Sequence, residues 1–167
     1  TLSTASNTLI LSNLLYNNVN QGLYETGALC MSNLVAGNVA LGGMYQKYGF
    51  NLNASLAHGD RYLENIASNH TLDGFSFANM SNMILASNVA GGNGRTGIYA
   101  SACTNFTILA NQVEGSTNGI YLLAKCRNNQ LLGNTVTGNL QHGVFFNTAS
   151  SNLLAGNTVA YNGSNGV

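Results

Sequence analysis

Lys47, Tyr48, Asp73 and Arg95 are the side chains whose types and spacing could do chemistry together. They occupy equivalent places before a recurrent glycine. Immediately before Gly22, Gly49, Gly74, Gly97, Gly119, Gly143 and Gly166 stand Gln21, Tyr48, Asp73, Thr96, Asn118, His142 and Asn165. One place earlier stand Asn20, Lys47, Leu72, Arg95, Thr117, Gln141 and Ser164. If the units stack, the phenol, the carboxylate and the two cations fall on neighbouring rungs. Such a set could neutralise the carboxyl group of a uronate and move its C5 proton. The alternative is a group of solvated surface ion pairs, each worth about 0–1 kcal/mol. Two residues beyond the glycine stand Tyr24, Asn51, Ser76, Tyr99, Tyr121 and Phe145, a column that should face outward. Aromatic rings in a row can stack on sugar rings or bury against a partner chain. The ordinary preference of Tyr and Phe for strands gives the same pattern. The candidate catalytic residues are therefore Tyr48, Asp73, Arg95 and Lys47. The candidate substrate-binding residues are Tyr24, Asn51, Tyr99, Tyr121 and Phe145.

Only a repeat can bring these residues together. The stretch LLGNTVTGNL at 131–140 returns as LLAGNTVAYNG at 153–163. One Asn anchors each unit: Asn13, Asn38, Asn65, Asn88, Asn111, Asn134 and Asn157. The last five anchors are 23 residues apart, whereas the first two intervals are 25 and 27, which reads as insertions in the early units. Three columns are apolar throughout: Ile10 to Leu154 three places before the anchor, Leu15 to Val159 two places after it, and Leu23 to Val167 just after the glycine. Short alternating runs punctuated by Asn and Gly read as strands. A unit of this length with several short strands is one turn of a parallel β-helix. The fold class is all-β: a right-handed single-stranded parallel β-helix of about seven turns, with the hand taken from the rule for parallel crossovers. Seven turns at about 4.8 Å each make a rod of roughly 34 Å. A leucine-rich repeat would need a Leu-x-x-Leu-x-Leu pattern, which is missing. Stacked anchor Asn side chains would hydrogen-bond along a ladder and satisfy the backbone of the bends.

Composition narrows the function. Charged residues make up 6% of the chain and the formal net charge is zero. A nucleic-acid binder needs a basic stripe, and five Lys/Arg scattered along the chain supply none. There is no run of about 18 apolar residues, so no membrane-spanning helix is predicted. The 27 Asn and 20 Gly predict many left-handed backbone positions at bends. Cys30, Cys103 and Cys126 share a column with Ala57, Met80 and Ala149, which predicts buried free thiols. Cys103 and Cys126 would lie on adjacent turns, which leaves a disulfide between them open. No zinc spacing and no calcium-binding Gly-Gly-x-Gly-x-Asp repeat occurs, so neither metal nor cofactor is expected. Five Asn-x-Ser/Thr sequons, at Asn53, Asn69, Asn79, Asn105 and Asn162, are no more than so Asn-rich a chain yields by chance.

The repeats resemble those of right-handed β-helix proteins that process carbohydrates, including alginate (mannuronan) C5-epimerases and NosD-like proteins. A sharper resemblance is Tyr48-Gly49-Phe50 followed by Leu72-Asp73-Gly74-Phe75. The epimerases carry Tyr-Gly-Phe-Asp-Pro-His, then Asp-Gly-Phe one turn later, with the Tyr, Asp and His of the first motif and a later Asp in proton transfer. Tyr48 matches the Tyr. Asn51, Leu52 and Asn53 stand where the family has Asp, Pro and His, and Ala78 stands at the later Asp. The resemblance thus implies a degenerate catalytic motif on a platform that binds polysaccharide.

One β-helix domain over 1–167 is predicted, and the chain reads as a piece of a longer protein. The first functional expectation is an extracellular or cell-envelope module that binds a polysaccharide, acidic or not, as a diverged or inactive uronate epimerase or lyase. The second is a structural stalk, adhesin or filament module that packs against other chains or stacks through its open ends.

Overall fold

The computed structural model describes residues 1–27, 30–54 and 58–167. Among these there is no helix, and the strands form three parallel sheets of seven strands each. The chain visits the sheets in the same order on every turn. The first sheet holds the longest strands, at Gln21–Thr26, Tyr48–Asn53, Phe75–Ala78, Thr96–Ser101, Asn118–Leu123 and Val144–Asn147, preceded by Leu2–Ser3. The second runs from Leu9–Leu11 to Leu153–Ala155, and the third from Leu14–Tyr16 to Thr158–Ala160. This is a parallel β-solenoid of seven turns.

The register fixes which columns meet. Phe50 pairs with Phe75, Phe75 with Ile98, Ile98 with Ile120 and Ile120 with Val144. These side chains point inward, and the phenyl rings of Phe50 and Phe75 stack with centroids 4.9 Å apart. The second inward column is filled by Val35, Tyr62, Leu85, Ile108 and Leu131, and the third by Ala40, Ala67, Ala90, Val113 and Val136, all buried. Ile10, Leu15, Leu154 and Val159, on the end turns, are only half-buried. Val167 departs from its column: it lies outside any strand and is 64% exposed.

The surplus residues of the early units fall between the paired strand positions in the sequence. The chain passes from Thr26 to Met31, and from Asn53 to His58, where later turns go directly from Ala78 to Ser81 and from Ser101 to Thr104. A third surplus lies between Leu41 and Tyr48. The strands therefore keep their register across units of different length. Ala57, in the cysteine column, lies outside the described residues.

Asn and Gly serve two different purposes. The residue before every anchor Asn, whether Ser12, Gly37, Glu64, Ser87, Ala110, Gly133 or Gly156, has a left-handed φ between 53° and 65°. The recurrent glycine column does not. A Cβ at Gly22 or Gly49 would lie 2.7 Å from the carbonyl oxygen of the glycine one turn on, so close backbone approach excludes any side chain.

Buried Asn side chains stack at the corners. Asn88 Oδ1 accepts from the backbone N–H of Asn65 at 2.9 Å, and Asn111 Oδ1 accepts from that of Asn88 at 2.9 Å. Asn111 Nδ2 donates back to Leu85 O at 2.9 Å. The same pattern runs from Asn13 to Asn157. A second corner stacks Asn33 on Asp60, then Asn129 on Asn152. A third runs through His70, Asn93, Ser116, Asn139 and Asn162. Each stack satisfies bend N–H groups that water cannot reach.

Candidate functional site

The outer face of the first sheet carries the residues singled out in the sequence. Its register places Tyr24 opposite Asn51, Asn51 opposite Ser76, Ser76 opposite Tyr99, Tyr99 opposite Tyr121, and Tyr121 opposite Phe145. The aromatic row is therefore continuous only over its last three rungs. Tyr24 is cut off from them by Asn51 and Ser76. Tyr99 and Tyr121 meet edge to face at 5.9 Å, and Tyr121 and Phe145 meet at 4.9 Å with rings tilted by 57°. All three rings are half-buried. Each offers one edge or face to solvent while its neighbours hold it in place, which limits the rotamer entropy a ligand would have to remove.

Arg95 closes one end of this row. Its guanidinium carbon lies 5.1 Å from the Tyr99 ring centroid, a cation–π arrangement. The same guanidinium grips Asp73 with both arms: Nε donates to Oδ1 at 2.8 Å, and a terminal nitrogen donates to Oδ2. Asp73 is fully buried, whereas the Arg95 side chain is 45% exposed. Burial pushes the Asp73 carboxyl up from the usual carboxylate range, and Arg95 pulls against it. Hydrogen bonding to Asp73 pushes the guanidinium further up. The structure thus joins Arg95, Asp73 and Tyr99 and leaves their net charge at zero. Tyr48 stands half-buried beside Asp73 on the preceding rung, where Gly49 N–H donates to Asp73 O at 3.2 Å. Lys47 is exposed, one rung before Leu72, and the ion-pair partner of Asp73 is Arg95. Further along the same sheet, Asn51, Asn53 and Ala78 offer no group that accepts a proton at neutral pH.

His142 extends the site beyond the sequence-derived set. Its imidazole stacks on Phe145 at 4.7 Å and 17°, and its Nδ1 is buried with no hydrogen-bond partner among the described residues. It occupies the same column as Tyr48 and Asp73, and that position was its only signal. Asn147 adds a bond from Nδ2 to the Tyr121 hydroxyl at 3.2 Å. The assembled strip runs from Arg95 through Tyr99, Tyr121 and Phe145 to His142. It is an open face. A cavity of about 260 Å³ lies elsewhere, at the last turns, lined by Phe146, Ala149, Ser150, Ser151 and Asn152.

Residues 31–167 match the NosD family, described as periplasmic copper-binding protein. The chain belongs to the NosD family. This NosD-family chain also shares its fold with the periplasmic alginate epimerase AlgG. The crystal structure of a point mutant of that enzyme aligns with a TM-score of 0.79 at 16% identity, over 97% of this chain and 46% of that one. At that identity the likeness is one of fold, and the NosD-family chain spans less than half the length of the epimerase. No curated protein matches it.

Proposed function

We propose that this chain is a periplasmic or envelope β-helix module that binds polysaccharide along the strip Tyr99–Tyr121–Phe145. The observation that carries this reading is the contiguous contact of three half-buried rings on successive rungs, flanked by Arg95 and His142. Rungs about 4.8 Å apart suit an extended polymer laid along the rod, with sugar faces against ring faces. The mutual engagement of Arg95 and Asp73 neutralises the cation at the end of the strip, so stacking supplies most of the affinity and charge little. The family's name for an envelope compartment and the shared fold with an epimerase of alginate support the location and the ligand class.

Proton transfer at a uronate is a further step in the same proposal, with Tyr48 as the group and Lys47, Asp73 and Arg95 around it. Asn51, Asn53 and Ala78 on the same sheet supply no second acid or base and the Asp73 carboxylate is held by Arg95, so binding without turnover is the proposed activity. The copper of the family's description finds no matching donor set: among the described residues no three His, Cys, Asp or Glu side chains gather as a metal site.

A structural role is favoured by a different observation. Leu14 and Tyr16 on the third sheet, and Val19, Met44 and Tyr45 in the corner that follows it, are each at least 63% exposed, an apolar patch that suits packing against another chain.

The test is binding to a panel of acidic and neutral polysaccharides, wild type beside Tyr99→Ala/Tyr121→Ala. Loss of binding in the double variant supports the strip. Absence of binding to every glycan sinks it and leaves the packing module.

A further inference from the structure

Cys103 and Cys126 stand one above the other inside the solenoid. The bridge between Thr104 and Arg127 sets them opposite each other on the fifth and sixth turns, and both are fully buried. The backbone N–H of Cys103 donates to Cys126 Sγ at 3.4 Å. The thiols themselves reach backbone oxygens, Cys103 to Ser101 O at 3.3 Å and Cys126 to Ala100 O at 3.4 Å. Opposed residues of neighbouring parallel strands lie roughly 4.8 Å apart, inside the Cα separation of about 4.4–6.8 Å that a disulfide spans. Cys30 is the internal contrast. It is equally buried, but the neighbouring units of the sequence carry Ala5 and Ala57, not Cys, at the equivalent places.

We propose that Cys103 and Cys126, held as thiols in this structure, are the dithiol form of a disulfide clip that joins the fifth and sixth turns in an oxidising compartment. The family's description as periplasmic places it where such bonds form and persist. The opposite order gives the same product, so take the Cys126 thiolate as the attacking group. It displaces one sulfur of an oxidant disulfide, breaking that S–S bond and forming a mixed disulfide. Cys103 then loses its proton, attacks the Cys126 sulfur and expels the second oxidant thiolate. Two thiols of the chain become one disulfide, and one oxidant disulfide becomes two thiols. Because the folded solenoid covers both sulfurs, the exchange belongs to the folding chain, before the sixth turn closes.

The experiment is refolding in a mixture of oxidised and reduced glutathione, followed by thiol counting in denaturant and a non-reducing peptide map. The clip gives one free thiol and a peptide linking Cys103 to Cys126 in the wild-type chain, no free thiol in Cys30→Ser, and two in Cys103→Ala. Reductant then lowers the wild-type Tm by roughly 5–10 °C and leaves that of Cys103→Ala unmoved. Three free thiols in a refolded chain with a native circular dichroism spectrum overturn the proposal, as does a map that links Cys30. Neither readout depends on glycan binding.

Discussion

The hydroxyl of Tyr62 donates to Oε2 of Glu25 at 2.9 Å, joining residues 37 apart in sequence inside an apolar core. Glu25 occupies a column whose other members are Leu2, Leu52, Phe77, Ala100, Leu122 and Phe146. It is fully buried, as is Asp60, which shares Asn33 with it: Asn33 Nδ2 donates to Glu25 at 3.3 Å, and Asn33 N–H donates to Asp60 at 2.6 Å. The second oxygen of Asp60 has no partner among the described residues. Burial first, and the charge of Asp60 second, push the Glu25 carboxyl up to about 7.

A pH dependence follows from that pair. Between its ordinary value of 4.5 and about 7, Glu25 is protonated in the fold and ionised in the unfolded chain. The native state then binds the extra proton, so stability is greatest on the acid side and falls as pH rises through this window. The loss attributable to Glu25 is on the order of 3 kcal/mol. Urea midpoints at acid and mildly alkaline pH check it: Glu25→Gln should flatten the wild-type slope, and equal slopes in the two proteins would refute the assignment.

Arg95 and Asp73 should be strongly coupled. Arg95→Ala strands a buried carboxylate, and partial exposure of the arginine holds the cost to about 1–3 kcal/mol. Adding Asp73→Asn removes the stranded charge, so the double variant should recover part of the loss. A double-mutant cycle on unfolding free energies measures this, and additive costs would show the two side chains to be independent.

Salt should matter little to glycan binding. Stacking on Tyr99, Tyr121 and Phe145 is unscreened, and the arginine beside them is already paired. The Kd for a bound polysaccharide should change less than about threefold between low salt and roughly 1 M, where the Debye length is ~3 Å. A steep rise in Kd would point instead to a charge-driven site.

The Asn stacks should be costly to interrupt in the middle and cheap at the end. Asn111→Ala orphans the Asn88 N–H and the Leu85 carbonyl, both interior, for about 3 kcal/mol or more. Asn13→Ala, on the first turn and exposed, should cost under about 1 kcal/mol. Chemical denaturation of the two variants separates them, and similar costs would refute the idea that the buried amides act as a shared support.

The fold was legible because a period shows itself in several columns at once. Anchor Asn, inward aliphatic and glycine columns all repeat, and the register agrees with each. The glycine column was legible as a position but not as a cause: a spacing cannot tell a left-handed bend from an extended strand pressed against its neighbour. The pairing of Arg95 with Asp73 and Tyr99 followed from neighbouring columns. The break between Tyr24 and Tyr99 was equally visible in Asn51 and Ser76, whose side chains are too small to carry the row. Glu25 escaped notice because it follows the strand pattern with the wrong chemistry, and its partners lie a turn or more away. The corner stacks beyond the anchor column were hidden because Asp60, His70 and Ser116 stand in for Asn there.

Every corner amide passes its own N–H onward to the side-chain oxygen of the following turn, from Asn13 through to Asn157. The rod is therefore vectorial, like a staircase that can be climbed in one sense only. At the corners its N-terminal side presents side-chain amide oxygens and its C-terminal side presents backbone amide hydrogens. Two such rods meeting at like faces would set acceptor against acceptor or donor against donor. Only a head-to-tail splice, whether within a longer chain or between copies, would continue these corner stacks.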